Sequence, residues 1–86
     1  MKKVILTGHS KGLGKALASA LLAEGCEVLG IARSRADEEQ GLQQVTLDLS
    51  DMDALRQWLE SVALRSFLEG ASQAILINNS GAVGPV

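Results

Sequence analysis

The sequence predicts an α/β fold, a parallel sheet of doubly wound type in the order 3-2-1-4 with helices on both faces. Three observations carry this. Short β-branched and apolar runs alternate with segments of helical period along the 86 residues. A glycine-rich loop joins the first run to the first helical segment. The last run, from Ala74 to Ile77, is apolar at every position, as in a central parallel strand.

Strand one is Lys3 to Thr7, bounded by Gly8. From Leu13 the apolar residues Leu13, Leu17, Ala20 and Leu21 recur at helical spacing, with Lys15 and Ser19 on the other side and Gly25 as the stop. Glu27 to Ala32 reads as strand two, and Gln44 to Leu47 as strand three, ending near Asp48. The polar stretch Arg35 to Gln40 between them reads as a solvated loop or short helix. Ser50 and Asp53 give a capping-box pattern. Met52, Leu55, Trp58, Leu59 and Val62 then extend one helical face, predicting a single long helix to about Glu69, closed by Gly70. Gln73 to Ile77 is strand four, running into Asn78, Asn79, Ser80 and Gly81. Right-handed crossovers then place strands one and four side by side, so their following loops should face each other across the ligand crevice. The apolar strand four finds no later strand before Val86, so the chain reads as the N-terminal part of one domain, truncated after strand four.

Composition narrows the partners. Apolar residues make up 47% and charged residues 21%, as in a globular domain. A net charge of −2 leaves no broad basic surface for a nucleic-acid backbone, so none is expected as partner. No apolar run approaches the roughly 20 residues that cross a bilayer, and no secretory signal follows Met1; neither a membrane partner nor export is expected, and the reading is cytoplasmic. Cys26 is the only cysteine and reads as a small buried strand residue. His9, the only histidine, has no second histidine or cysteine with which to share a metal, and none is expected. Trp58 and Phe67 sit at helical spacing with leucines and read as core.

The loop from Thr7 to Gly14 carries the chemistry. The first N–H groups of a helix are unpaired and sit at the positive end of its dipole, so a glycine loop leading into a helix binds phosphate. Gly8, Gly12 and Gly14 allow close backbone approach, while Ser10 and Lys11 add hydroxyl and ammonium donors. In dinucleotide folds the end of the second strand lies beside the adenine ribose, where Asp or Glu accepts from a 2′-OH and Arg accommodates a 2′-phosphate. Arg33 holds that place, about 20 residues beyond the last glycine, and its neighbours Ala32 and Ser34 are not acidic. NADP(H) is therefore expected ahead of NAD(H). A P-loop phosphotransferase is the competing reading, from Gly14 and Lys15 with Asp48 as a magnesium ligand. It lacks glycine at His9 and a hydroxyl at Ala16.

The motif TGHSKGLG resembles the TGxxxGxG loop of the short-chain dehydrogenase/reductase family, and NNSG resembles its NNAG motif. The resemblance covers all 86 residues as the family's N-terminal third and implies a Rossmann fold. It implies that Gly8, Ser10, Lys11, Gly12, Leu13 and Gly14 wrap the pyrophosphate and adjoining ribose, and that Asp48 and Leu49 meet the adenine. Asn79, Ser80 and Gly81 would pass along the ribose units, with Asn78 or Asn79 tying strand four to its neighbours. Lys11 before the second glycine, together with Arg33, is the family's usual sign of NADP(H). Ser80 stands where the family has alanine. The implied activity is hydride transfer between the nicotinamide and a small-molecule carbonyl or alcohol, by a homo-oligomeric full-length enzyme. The family's catalytic Ser, Tyr and Lys have no counterparts here, the chain having no Tyr, so no catalytic residue is assigned. A non-catalytic NADP(H) sensor or scaffold is the alternative.

Overall fold

The computed structural model describes residues 1–79. Its elements are β1 (Lys2–Thr7), α1 (Gly12–Ala23), β2 (Glu27–Ala32), β3 (Leu42–Thr46), α2 (Met52–Glu60), α3 (Val62–Leu68) and β4 (Gln73–Asn78). The four strands form one sheet in the order β3-β2-β1-β4. All three pairings are parallel, with Val4 beside Val28 and Ile75 in one row, and Leu6 beside Gly30 and Ile77 in the next. The predicted order is the observed one.

Strand alternation divides the apolar residues between two faces. Val4, Leu6 and Val28 point to one face and form the core with Ala18 and Cys26, against which Leu17, Leu21, Leu22, Leu42, Ile75 and Ile77 pack. Helix α1 covers this face through Gly14 and Ala18, small residues that let it lie close to the sheet. The predicted α1 stripe was rotated: Leu13 is 69% exposed and Ala20 is exposed, whereas Ala18 is buried and Leu22 half-buried. Gly25 ends the helix at a φ of 87°, its N–H donating to the Leu22 carbonyl and that of Cys26 to Leu21. Cys26 is buried, but it lies one residue ahead of β2 rather than in it.

Lys3 projects to the opposite face, its ammonium 5.6 Å from the centre of the buried Phe67 ring and 2.7 Å from the Glu69 carbonyl, which places α3 there. The long helix predicted over Met52 to Glu69 is two helices. At Ser61 the backbone turns extended, with φ −76° and ψ 164°, and the Ser61 hydroxyl donates to the Trp58 carbonyl. A side chain that takes up a helical carbonyl in this way competes with continuation of the helix. The cap of α2 is Asp51, whose carboxylate accepts from the Ala54 N–H at 3.1 Å, and not Ser50, whose hydroxyl is engaged by Asp48. Trp58 is only half-buried, so of the two aromatics Phe67 alone belongs to the core.

Candidate functional site

The carboxyl ends of all four strands lie on one edge of the sheet, and the loops that leave them carry the residues singled out from the sequence. After β1 the chain enters the glycine loop. Gly8 takes a φ of 72° and Gly12 a φ of 56°, the left-handed region that a side chain resists. The Gly8 N–H donates to the Ile31 carbonyl at 2.7 Å, anchoring the loop to β2. Lys11 is the N-cap of α1, and its side chain makes no capping hydrogen bond. The first turn of α1 contains no acidic residue. Its N–H groups and dipole are thus left for an anion.

The close approach at the head of α1 is set by Gly14. A Cβ there would stand 1.8 Å from the Gly8 carbonyl oxygen and 2.8 Å from Asn79 Nδ2. Asn79 Nδ2 donates to that same Gly8 carbonyl at 3.3 Å. One step back, the Thr7 hydroxyl donates to Asn78 Oδ1 at 2.8 Å. Both asparagines therefore tie β4 to β1 and its loop, where the sequence left the choice open. Ser80 and Gly81 lie outside the described residues.

The loop after β2 comes back to the glycine loop. Ser34 Oγ lies 2.9 Å from Ser10 Oγ. Arg33 is exposed, close enough to Asp48 to lower its carboxyl. Asp48 is held below the ordinary carboxylate value first by the Ser50 hydroxyl and next by the Ser50 N–H, with the Arg33 charge a smaller contribution. The two Ser50 bonds measure 2.6 and 2.9 Å. Leu49 is half-buried beside it. Among the described residues, Gly8, Gly14 and Asn79 are brought together, Ser10 meets Ser34, and Arg33 lies near Asp48. Leu13 and Lys11 stand exposed at the start of α1.

Sequence reasoning weighs His9 only as a metal ligand and Gln44 only as a strand residue. His9 is 1% exposed, and its Nε2 lies 2.7 Å from Gln44 Oε1. Its ring fills the space above Gly30, where a Cβ would come within 2.3 Å of it. Gly30 was the available signal: a glycine inside an otherwise apolar strand marks a close approach. Gly30→Ala should cost about 1–3 kcal/mol by overpacking. A urea unfolding midpoint unchanged from the parent would show that the ring has room to move. No group of three or more potential metal-ligating side chains occurs among the described residues. Nor is any described helix long and apolar enough to cross a membrane.

The arrangement has counterparts among known proteins. A family model described as short chain dehydrogenase matches residues 2–86. Benzil reductase ((S)-benzoin forming) of Bacillus subtilis (strain 168) is 36% identical over 87 residues, covering 100% of this chain and 36% of the reductase. The L-xylulose reductase of Homo sapiens is 36% identical over 67 residues, 71% of this chain and 28% of the reductase. The crystal structure of a short-chain dehydrogenase/reductase from Burkholderia vietnamiensis is similar with a TM-score of 0.89 and 44% identity, covering 99% of this chain and 43% of that one. The chain thus spans between 28% and 43% of the length of these relatives. With the fold, the glycine loop and the family match in agreement, the chain belongs to the short-chain dehydrogenase family.

Proposed function

We propose that these residues form the cofactor-binding part of an NADP(H)-dependent oxidoreductase acting on a small-molecule carbonyl or alcohol. The observation that supports this most directly is the uncapped start of α1, with Lys11 at its N-cap and Arg33 on the adjoining loop. Gly8, Gly12 and Gly14 admit the pyrophosphate to the helix N–H groups, with Ser10, Lys11 and Leu13 around it. Arg33 pairs with the 2′-phosphate, Ser34 flanks it, and Asp48 and Leu49 border the adenine. Asn79, Ser80 and Gly81 follow the ribose units. The bound cofactor supplies the hydride chemistry, and this segment binds and orients it. The similarity to benzil reductase ((S)-benzoin forming) and to L-xylulose reductase supports the reaction class. The 86 residues would be the N-terminal part of a single nucleotide-binding domain.

One or two charge-assisted bonds from Arg33, about 1.5 to 3 kcal/mol in all, correspond to a preference of roughly 10- to 150-fold for NADPH over NADH. Calorimetric titration of the protein with NADPH, NADH and ATP measures this. ATP binding without an NADPH signal would overturn the reading in favour of a phosphotransferase.

A further inference from the structure

His9 and Gln44 form a relay that the cofactor contacts do not use. The ring of His9 sits over Gly30, which is paired in register with Gln44 on β3. Gln44 grips the backbone of Ala36 at two points: its Oε1 accepts from the Ala36 N–H at 2.8 Å, and its Nε2 donates to the Ala36 carbonyl at 3.1 Å. The same Oε1 faces His9 Nε2 at 2.7 Å. An amide oxygen only accepts, so the hydrogen of that bond lies on His9 Nε2. His9 Nδ1 is buried with no hydrogen-bond partner among the described residues, so Gln44 is the ring's one hydrogen-bond partner among them.

This relay determines where the arch after β2 can stand. At its near end Ala32 is held in the sheet, its carbonyl accepting from the Leu47 N–H at 2.9 Å. At its far end Ala36 is held by Gln44. Arg33, Ser34 and Arg35 lie between two fixed points, and Ser34 meets Ser10, the residue after His9. We propose that His9 and Gln44 are positioning residues for 2′-phosphate recognition, fixing the arch that carries Arg33 against the glycine loop. This rests on the reading of Arg33 as the phosphate partner. Neither residue touches the phosphate. Each lowers the ordering that Arg33 must undergo when it binds, which is how preorganisation raises affinity. The glycine loop itself keeps separate anchors, at Ile31 and Asn79, so binding of the pyrophosphate does not depend on the relay.

The test compares NADPH with NADH, which differ only in the 2′-phosphate, by calorimetry on the full chain, in the parent, Gln44→Leu and His9→Ala proteins. Gln44→Leu is the primary variant because it lies on β3, outside the glycine loop. The parent should favour NADPH. Gln44→Leu should reduce that preference about fivefold or more, with NADH affinity held within about twofold. His9→Ala should move the preference in the same direction. If His9→Ala does not fold, Gln44→Leu decides alone. A preference retained in Gln44→Leu, or an equal loss for both ligands, overturns the relay while leaving the Arg33 reading intact. A parent with no preference overturns the Arg33 reading, and the relay with it.

Discussion

Gly14→Ala is expected to be the most damaging single substitution in the described structure, in both stability and nucleotide affinity. The new Cβ would meet the Gly8 carbonyl oxygen at 1.8 Å and the Gly8 carbonyl carbon at 2.7 Å. Both are backbone atoms of a loop fixed on either side, by Ile31 and by Asn79. A flexible side chain would swing away, but here either α1 must lift from the sheet or the loop must leave β2. The stability loss should reach the upper end of the overpacking range, about 3 kcal/mol. Nucleotide affinity should fall on the order of 100-fold, since the same displacement would move the helix N–H groups away from the pyrophosphate proposed to bind them. Gly12→Ala provides the contrast. Its Cβ meets nothing within 4 Å, so only the left-handed φ of 56° opposes it, at about 1–2 kcal/mol. Urea unfolding and calorimetry on both variants read the two effects separately. Equal losses for the two alanines would show that backbone strain, not the crossing of α1 over Gly8, makes glycine necessary at position 14.

The parts of the molecule that could be read from the sequence are those whose cause is local. β2 spans Glu27 to Ala32 as its run from Val28 to Ala32 predicts, because a strand covered on both faces needs no partner pattern to be recognised. The glycine loop was legible because a strand-to-helix turn this tight needs glycine where φ is positive, at Gly8 and Gly12, and where α1 crosses the Gly8 carbonyl, at Gly14. Helix α1 was placed correctly along the chain but rotated, because Leu13 fits the apolar period while its exposure depends on what lies beyond the sheet edge. The break at Ser61 was hidden for a related reason. Leu55, Trp58, Leu59 and Val62 keep a helical period across it, and only the hydroxyl of Ser61 on the Trp58 carbonyl marks the interruption. The relay from His9 to Gln44 joins residues 35 positions apart. His9 fills a variable position of the glycine-loop motif and Gln44 belongs to none, so nothing short of the strand register brings them together.

Its place in the chain suits Arg33 to the selecting role proposed for it. It follows directly on β2, so the strand fixes one end of the arch that carries it. Arg33→Asp should cut the preference for NADPH over NADH by at least tenfold, the equivalent of about 1.4 kcal/mol. Two changes act in the same direction. The guanidinium's charge-assisted bonds to a 2′-phosphate are lost, and a carboxylate takes their place beside an anion. The substitution also puts a second carboxylate near Asp48, whose own charge Arg33 helps to stabilise. A free ribose 2′-OH, by contrast, can donate to the new Asp, so NADH affinity should hold or rise. Ser50 should limit the damage on the protein side. Its hydroxyl and N–H are the larger influences on Asp48, so the Asp48 carboxyl should stay below its ordinary value without Arg33. Paired titrations with NADPH and NADH give the preference, and the Asp48 carboxyl can be followed by NMR in the same samples. An unchanged NADPH to NADH ratio would remove Arg33 as the phosphate partner and leave Lys11 as the cation to test at that edge of the sheet.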